Sequence, residues 1–256
     1  MGDIALPLTV ARTVTDLRAA VAAWRKQGLK IGLVPTMGAL HEGHLTLVRR
    51  ARQVADRVVV SLFVNPTQFG PNEDFQAYPR QEEADAHLLR SVGADLLYAP
   101  EIEDIYPAGF ATTVSVAGLT DGLCGTVRPG HFAGVATVVA KLLLRALPDI
   151  ALFGEKDYQQ LQVIKRLTLD LDIPVAIEGV PTVREADGLA LSSRNAYLSP
   201  EQRAAAPVLY KVISRIAAGL AAGHEAAPLL EGGRAEILEA GFASVDYLEA
   251  RDADTL

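Results

Sequence analysis

The stretch Ile31-Gly32-Leu33-Val34-Pro35-Thr36-Met37-Gly38-Ala39-Leu40-His41-Glu42-Gly43-His44 decides the fold. Ile31, Leu33 and Val34 read as a buried strand. Leu45, Leu47, Val48 and Ala51 then recur at helical spacing, so the periodicity predicts a helix beginning near His44. His41 and His44 fall one turn apart on one face of that helix start. Unpaired N–H groups and the positive dipole end gather there and favour an anion. An imidazole can also donate to a phosphoryl oxygen and follow charge that grows in a transition state. Helix capping or a solvated loop would explain either histidine alone. Two of the chain's five histidines at the joint of a strand and a helix point instead to a nucleotide phosphate.

Outward from this joint, strand and helix signals alternate. A helix capped by Thr13 or Thr15 carries Leu17, Ala20, Val21 and Trp24 and stops at Gly28. Val58 to Val64 is apolar on both faces, as in a parallel strand covered by helices. A helix over 81–92, a strand over 95–98, a helix over 133–147, a strand over 150–153, a helix over 158–171 and a strand over 175–177 follow. This order predicts an α/β fold, a Rossmann-like doubly wound parallel sheet with right-handed crossovers. Beyond Pro181 two alanine-rich helices, over 200–220 and 228–240, precede a short strand over 245–248. A smaller C-terminal α+β domain is therefore expected, with 1–182 as the first domain and 183–256 as the second.

Composition narrows the partners. The 256 residues are 50% hydrophobic and 21% charged, as expected of an ordered globular chain. A net charge of -7 offers no basic field for nucleic acid, so an anionic ligand needs local positive groups. Cys124 is the sole cysteine, which excludes an intrachain disulfide and a multi-cysteine zinc site and fits a reducing cytoplasm. Met1 to Leu6 shows no secretion or lipidation signal, and no apolar run reads as long enough to span a membrane, so a cytoplasmic location is expected.

Four further segments carry chemistry. Asn65-Pro66-Thr67-Gln68-Phe69-Gly70 leaves a buried strand and offers amides suited to a small polar substrate, although Asn-Pro is also an ordinary turn. Gly154-Glu155-Lys156-Asp157 again joins strand to helix, with a glycine for close approach and an ammonium for phosphate. Leu191-Ser192-Ser193-Arg194-Asn195 reads as a phosphate clamp of hydroxyls and a guanidinium, or else as an N-cap run before the Pro200 helix. Arg128-Pro129-Gly130-His131, a glycine-containing loop before a long helix, could reach the same phosphates or be merely flexible.

The strings from Val34 to His44, Phe63 to Phe69, Tyr78-Pro79-Arg80, Phe153 to Tyr158 and Leu191 to Asn195 together resemble the pantoate–β-alanine ligases, the pantothenate synthetase family of the cytidylyltransferase-like superfamily. The resemblance runs from about Ile31 to the end of the chain. It implies that ATP and (R)-pantoate form enzyme-bound pantoyl adenylate and pyrophosphate, after which β-alanine displaces AMP. It assigns ATP to Met37, Gly38, Ala39, Leu40, His41, Glu42, Gly43 and His44, with His44 as proton donor. Gly154, Glu155, Lys156, Asp157, Val183 and Leu191 join them. Lys156, Ser192, Ser193 and Arg194 would hold the triphosphate as pyrophosphate leaves, Gln68 and Gln160 would bind pantoate, and Asn65 would help orient the substrates.

Mg²⁺, a homodimer and a hinged C-terminal lid are implied in the same way. The family's acidic cluster is only partly kept in Gln81-Glu82-Glu83-Ala84-Asp85, so Asp85 is a possible metal ligand and the metal site stays unassigned. Family members continue some tens of residues past Leu256, so the lid is expected to lack its last strand. The competing readings are a nucleotidyltransferase that leaves the adenylyl group on its product and a nucleotide-binding regulatory module without turnover.

Overall fold

The computed structural model describes residues 8–71 and 73–256; the N-terminal segment read for targeting signals lies outside them. The described chain divides into two compact units, one ending at Pro181 and one beginning at Thr182.

The first unit is built on strands β1 (Thr9–Ala11), β2 (Ile31–Thr36), β3 (Arg57–Leu62), β4 (Leu96–Tyr98), β5 (Ile150–Gly154) and β6 (Ala176–Val180). They form one sheet in the order β1-β4-β3-β2-β5-β6. Every pairing is parallel. The helices are α1 (Val14–Arg25), α2 (Glu42–Val54), α3 (Glu82–Ser91), the single turns α4 (Ile102–Ile105) and α5 (Cys124–Val127), α6 (His131–Ala146) and α7 (Tyr158–Asp170). Thr13 caps α1, its Oγ1 accepting from Asp16 N at 3.1 Å.

Strand alternation divides the core into two layers. Leu33, Val59, Leu96 and Phe153 face α1, α6 and α7 through Leu17, Val21, Val135, Leu142 and Leu161. Val34, Val58, Val60, Leu97 and Leu152 turn the other way, onto Leu47, Val48 and Ala51 of α2 and Leu89 of α3. A sheet buried on both faces is the α/β arrangement expected from the apolar run at Val58. The edge strand β1 is absent from the sequence reading. It is short, and Val10 at its centre is exposed, so no alternation marks it.

Chain order reverses between β2 and β5: β3 and β4 extend the sheet to one side of β2, β5 and β6 to the other. The carboxyl ends of the strands beside such a switch point flank the ligand crevice of open α/β sheets. Here they lead into the loops after Thr36 and after Gly154.

The second unit contains α8 (Pro200–Ala205), α9 (Val208–Ala221) and α10 (Ala226–Glu239). In place of the one continuous helix expected from Pro200, the chain turns at Ala206-Pro207, because a proline nitrogen cannot donate to the preceding turn. Val212, Ile216 and Ile237 form the core between α9 and α10. Gly233 makes their close approach possible: a Cβ there would sit 2.7 Å from Ile216 and 2.9 Å from Val212. The strand expected over 245–248 is not formed. Val245 and Leu248 instead pack on the helix pair, and among the described residues this unit's β content is a single antiparallel bridge between Arg184 and Ala190.

The expectation that no run reaches membrane-spanning length also needs correction, since Pro200–Ala221 has the length and mean hydropathy of a spanning helix. The turn at Ala206-Pro207 and the charged Arg203, Lys211 and Arg215 divide that stretch, and Val212 and Ile216 bury its apolar face against α10.

Candidate active site

The loop between β2 and α2 is held in an unusual backbone path. Gly38 and Ala39 both have positive φ, 85° and 51°, the second costly for a residue with a Cβ. The fully buried carboxylate of Asp85, from the first turn of α3, holds that path by accepting from Ala39 N at 2.9 Å and Leu40 N at 2.8 Å. Burial pushes its pKa up and the two amides pull it down, with burial the larger influence. Both oxygens face main-chain donors, so Asp85 anchors this loop. Among the described residues no group of three or more His, Cys, Asp or Glu could hold a metal ion.

At the end of this loop the two histidines cap α2 together. His41 is the N-cap, with its Nδ1 accepting from Gly43 N at 3.1 Å, while His41 N donates to His44 Nδ1 at 3.3 Å. This is a capping box with imidazoles in place of the usual hydroxyl and carboxylate. The capping explanation for these residues is therefore correct as far as it goes, and it has a chemical consequence. Because each Nδ1 is an acceptor, each neutral ring carries its proton on Nε2, the nitrogen left for a ligand.

The rings lie 4.2 Å apart between centroids. Burial lowers the pKa of His41, with the Lys156 ammonium adding to the effect. For His44, burial, then His41, then Lys156 push it down to about 3. Both rings are thus neutral N–H donors near pH 7, and Lys156 lies close enough to act on both. The Nε2–H of neutral His44 is the proton this ring can offer a ligand.

Lys156 sits in a single 3-10 turn, Glu155–Asp157, between β5 and α7. Its ammonium is partly exposed and 3.8 Å from the Asp157 carboxylate, a distance that leaves it available to phosphate. Gly154, Glu155 and Asp157 flank it at the end of β5. Of the two glutamines that follow, Gln159 is structural: its Nε2 donates to the carbonyls of Leu119 and Gly122, both at 2.9 Å, and its Oε1 accepts from Cys124 N. Gln160, the residue expected to meet pantoate, is only partly buried.

Asn65, at the end of the β3 segment, is fully buried. Its Nδ2 donates to Gln68 Oε1 at 2.9 Å and to Gly134 O at 3.1 Å, and its Oδ1 accepts from Thr67 and from the Tyr106 hydroxyl at 2.8 Å. With both donors and its acceptor engaged, Asn65 holds the Gln68 side chain in place. Tyr106 and Gly134, absent from the sequence reading, complete this seat.

Arg128, which the sequence left as either a phosphate contact or part of a flexible loop, is paired with Glu73 beside Gln68. In the second unit, Ser192 caps the 3-10 turn Ser193–Tyr197, its Oγ accepting from Arg194 N at 3.2 Å. Ser199 caps α8, so the Ser192 run is not the N-cap of that helix. Leu191 N donates to Val183 O at 3.0 Å, which makes Val183 and Leu191 neighbours across the Arg184–Ala190 bridge.

Sheet order defines a Rossmann-like α/β protein whose topological switch point lies between β2 and β5. A sequence profile described as pantoate-beta-alanine ligase matches residues 9–256. The pantothenate synthetase of Paramagnetospirillum magneticum is 66% identical over 247 residues, covering 96% of this chain and 87% of that one. That of Rhodospirillum rubrum is 61% identical over 249 residues, covering 97% and 88%. The crystal structure of pantothenate synthetase from Thermus thermophilus superimposes with a TM-score of 0.92 at 52% identity, covering 97% of this chain and 89% of that one. The Francisella tularensis pantoate-beta-alanine ligase, complexed with beta-gamma ATP and β-alanine, gives 0.85 at 38% identity, covering 96% and 90%. The chain belongs to the pantoate-beta-alanine ligase family.

Proposed function

We propose that this chain joins (R)-pantoate and β-alanine into pantothenate with cleavage of ATP. A pantoate carboxylate oxygen attacks the α-phosphorus, the bond to the β-phosphate bridge breaks, and pyrophosphate leaves. The amine of β-alanine, as its free base after giving one proton to solvent, then attacks the acyl carbon; AMP departs with the electron pair of the broken C–O bond, and the new amide nitrogen loses its extra proton to solvent. The observation that carries this reading is the pair of neutral imidazoles beside Lys156 at the switch point. Their Nε2–H groups suit phosphate oxygens that gain charge as pyrophosphate leaves, and Lys156 supplies the full positive charge. Pantoate already carries its nucleophilic carboxylate, so no base is needed in the first step and positioning does most of the work.

Backbone of Met37 to Gly43 and around Gly154 and Asp157 receives the nucleotide, Gln68 and Gln160 receive pantoate, and Val183, Ser192, Ser193 and Arg194 are assigned to ATP on the family resemblance. Mg²⁺ accompanies the nucleotide as counter-ion to its phosphates, as is usual where the protein builds no cage, and no step is assigned to it. A homodimer in the cytoplasm completes the proposal; sedimentation equilibrium tests the first part. The activity is tested by following pyrophosphate and AMP with ATP, Mg²⁺ and pantoate, with and without β-alanine. Pyrophosphate release with pantoate and AMP release only with the amine is the expected result. AMP that never appears would favour a nucleotidyltransferase. Lys156→Ala and Ser193→Ala should each cut pyrophosphate release severely.

A further inference from the structure

A cavity of about 400 Å³ adjoins the Asn65–Gln68 turn, lined among others by Gln68, Glu73, Arg128, Gly130 and His131. Its polar wall is one network. Arg128 donates through Nε and Nη2 to the two oxygens of Glu73 at 2.8 and 2.6 Å, and through Nη2 to the carbonyl of Gln68 at 3.3 Å. His131 Nδ1 lies 2.9 Å from the same carbonyl and must carry the proton there, which leaves Nε2 to accept from Arg128 Nη1 at 3.2 Å. A neutral ring and a carbonyl thus aim the guanidinium, while Glu73 neutralises it. Both charged side chains keep over a quarter of their surface exposed, so a solute can reach the pair.

We propose, resting on the ligase reading above, that this pair is the subsite for the zwitterionic amino acid. The ligand's carboxylate takes the guanidinium, and Glu73, released from Arg128, takes the ligand's ammonium. The exchange leaves no charge bare, which is the condition under which a partly buried ion pair can be opened at low cost. A hydroxy acid such as pantoate brings only the negative charge and would strand Glu73, so the same pair discriminates between the two acids. Gln68 links this subsite to the acyl substrate: its carbonyl belongs to the network, while its side chain is held by Asn65. Arg128 and Glu73 bind and place the amine substrate; they are assigned no bond-making step.

The test compares β-alanine with propylamine, which has the amine but no carboxylate, at saturating ATP and pantoate in the full chain. Arg128→Gln should raise the KM for β-alanine by about thirtyfold or more, the size expected for losing a charge-assisted pair, while the KM for propylamine, which brings no carboxylate and no longer strands the guanidinium, does not rise. Arg128→Lys should recover part of the preference. Glu73→Gln, which keeps the guanidinium, should also raise the β-alanine KM and covers the case in which Arg128→Gln folds poorly. A β-alanine KM within about twofold of wild type in both variants, or equal losses with both amines in Arg128→Gln, overturns the proposal. Wild-type protein that releases no pyrophosphate from ATP and pantoate refutes the ligase reading itself. Wild-type turnover with an amine preference that survives Arg128→Gln refutes only the subsite.

Discussion

The main-chain N–H of His41 points at Nδ1 of His44 from 3.3 Å, and this one contact fixes both the start of α2 and the protonation pattern of the ring behind it. The same geometry makes a helix cap and a phosphate donor, so the structural and functional readings of this histidine pair are compatible. A phosphate bound at the Nε2–H groups would be met by fixed dipoles that need no reorganisation.

The first prediction concerns pH. His44 is pushed from its ordinary 6.5 down to about 3 in the folded protein, so below 6.5 the unfolded chain binds a proton that the folded one refuses. The stability tied to this group is complete above pH 6.5 and is lost as pH falls toward about 3. His44→Gln keeps an N–H donor but removes the titration. Urea midpoints measured from pH 7 down to pH 4 should fall more steeply for the wild type than for the variant. Parallel curves would show that His44 titrates normally.

Asp85→Asn should unsettle the Gly38–Ala39 path. An amide can accept from only one of the two N–H groups and turns its own donor on the other, at a cost of about 1–3 kcal/mol for the group left unpaired. Thermal or urea denaturation should register that loss, and the KM for ATP should rise because the loop no longer presents its backbone. The Mg²⁺ concentration giving half-maximal rate should not move, since Asp85 is a loop anchor. A selective shift in that Mg²⁺ dependence would return Asp85 to the role of metal ligand.

Ser61 tests polar accounting in the core. Its hydroxyl, on the central strand β3, is the buried side-chain polar atom left without a hydrogen-bond partner among the described residues. Ser61→Ala removes a desolvated group that no hydrogen bond compensates, so stability should change by less than about 0.5 kcal/mol or rise by up to about 1 kcal/mol. A loss above about 1.5 kcal/mol in urea denaturation would mean that the hydroxyl has an ordered partner, such as buried water.

Much of this architecture is legible in the chain itself. Val58 to Val64 announces a strand covered on both faces, and the loops after Thr36, Val64 and Phe153 are the places to look because ligands gather at the carboxyl ends of parallel strands. The groups that hold those loops are not legible. Asp85 is joined to Ala39 and Leu40 across more than forty residues; its spacing to Leu89 places it on the buried face of α3, but nothing in the sequence says which main-chain groups it meets there. Glu73 lies in a polar loop that looks solvated, and only its approach to Arg128 gives it meaning. The Val245 strand fails for a related reason: a strand pattern states a preference for pairing, and the partner it needs is supplied by the fold.

Gly134 gives the sharpest steric prediction. It lies in the first turn of α6, where a Cβ would stand 2.2 Å from the Thr67 carbonyl oxygen and 2.6 Å from its carbon, both backbone atoms that no rotamer change can move aside. Its own carbonyl accepts from Asn65 Nδ2, and the other proton of that amide holds Gln68 Oε1. Gly134→Ala must therefore push the Asn65–Gln68 turn away from the helix. Overpacking of this kind costs about 1–3 kcal/mol, and the displacement passes directly to Gln68. The expected outcome is a lowered denaturation midpoint together with a KM for pantoate raised more than the KM for ATP, because the nucleotide loop after β2 does not lean on this contact. A variant with the lowered midpoint but unchanged pantoate kinetics would show that Gln68 is not part of the acyl-substrate seat.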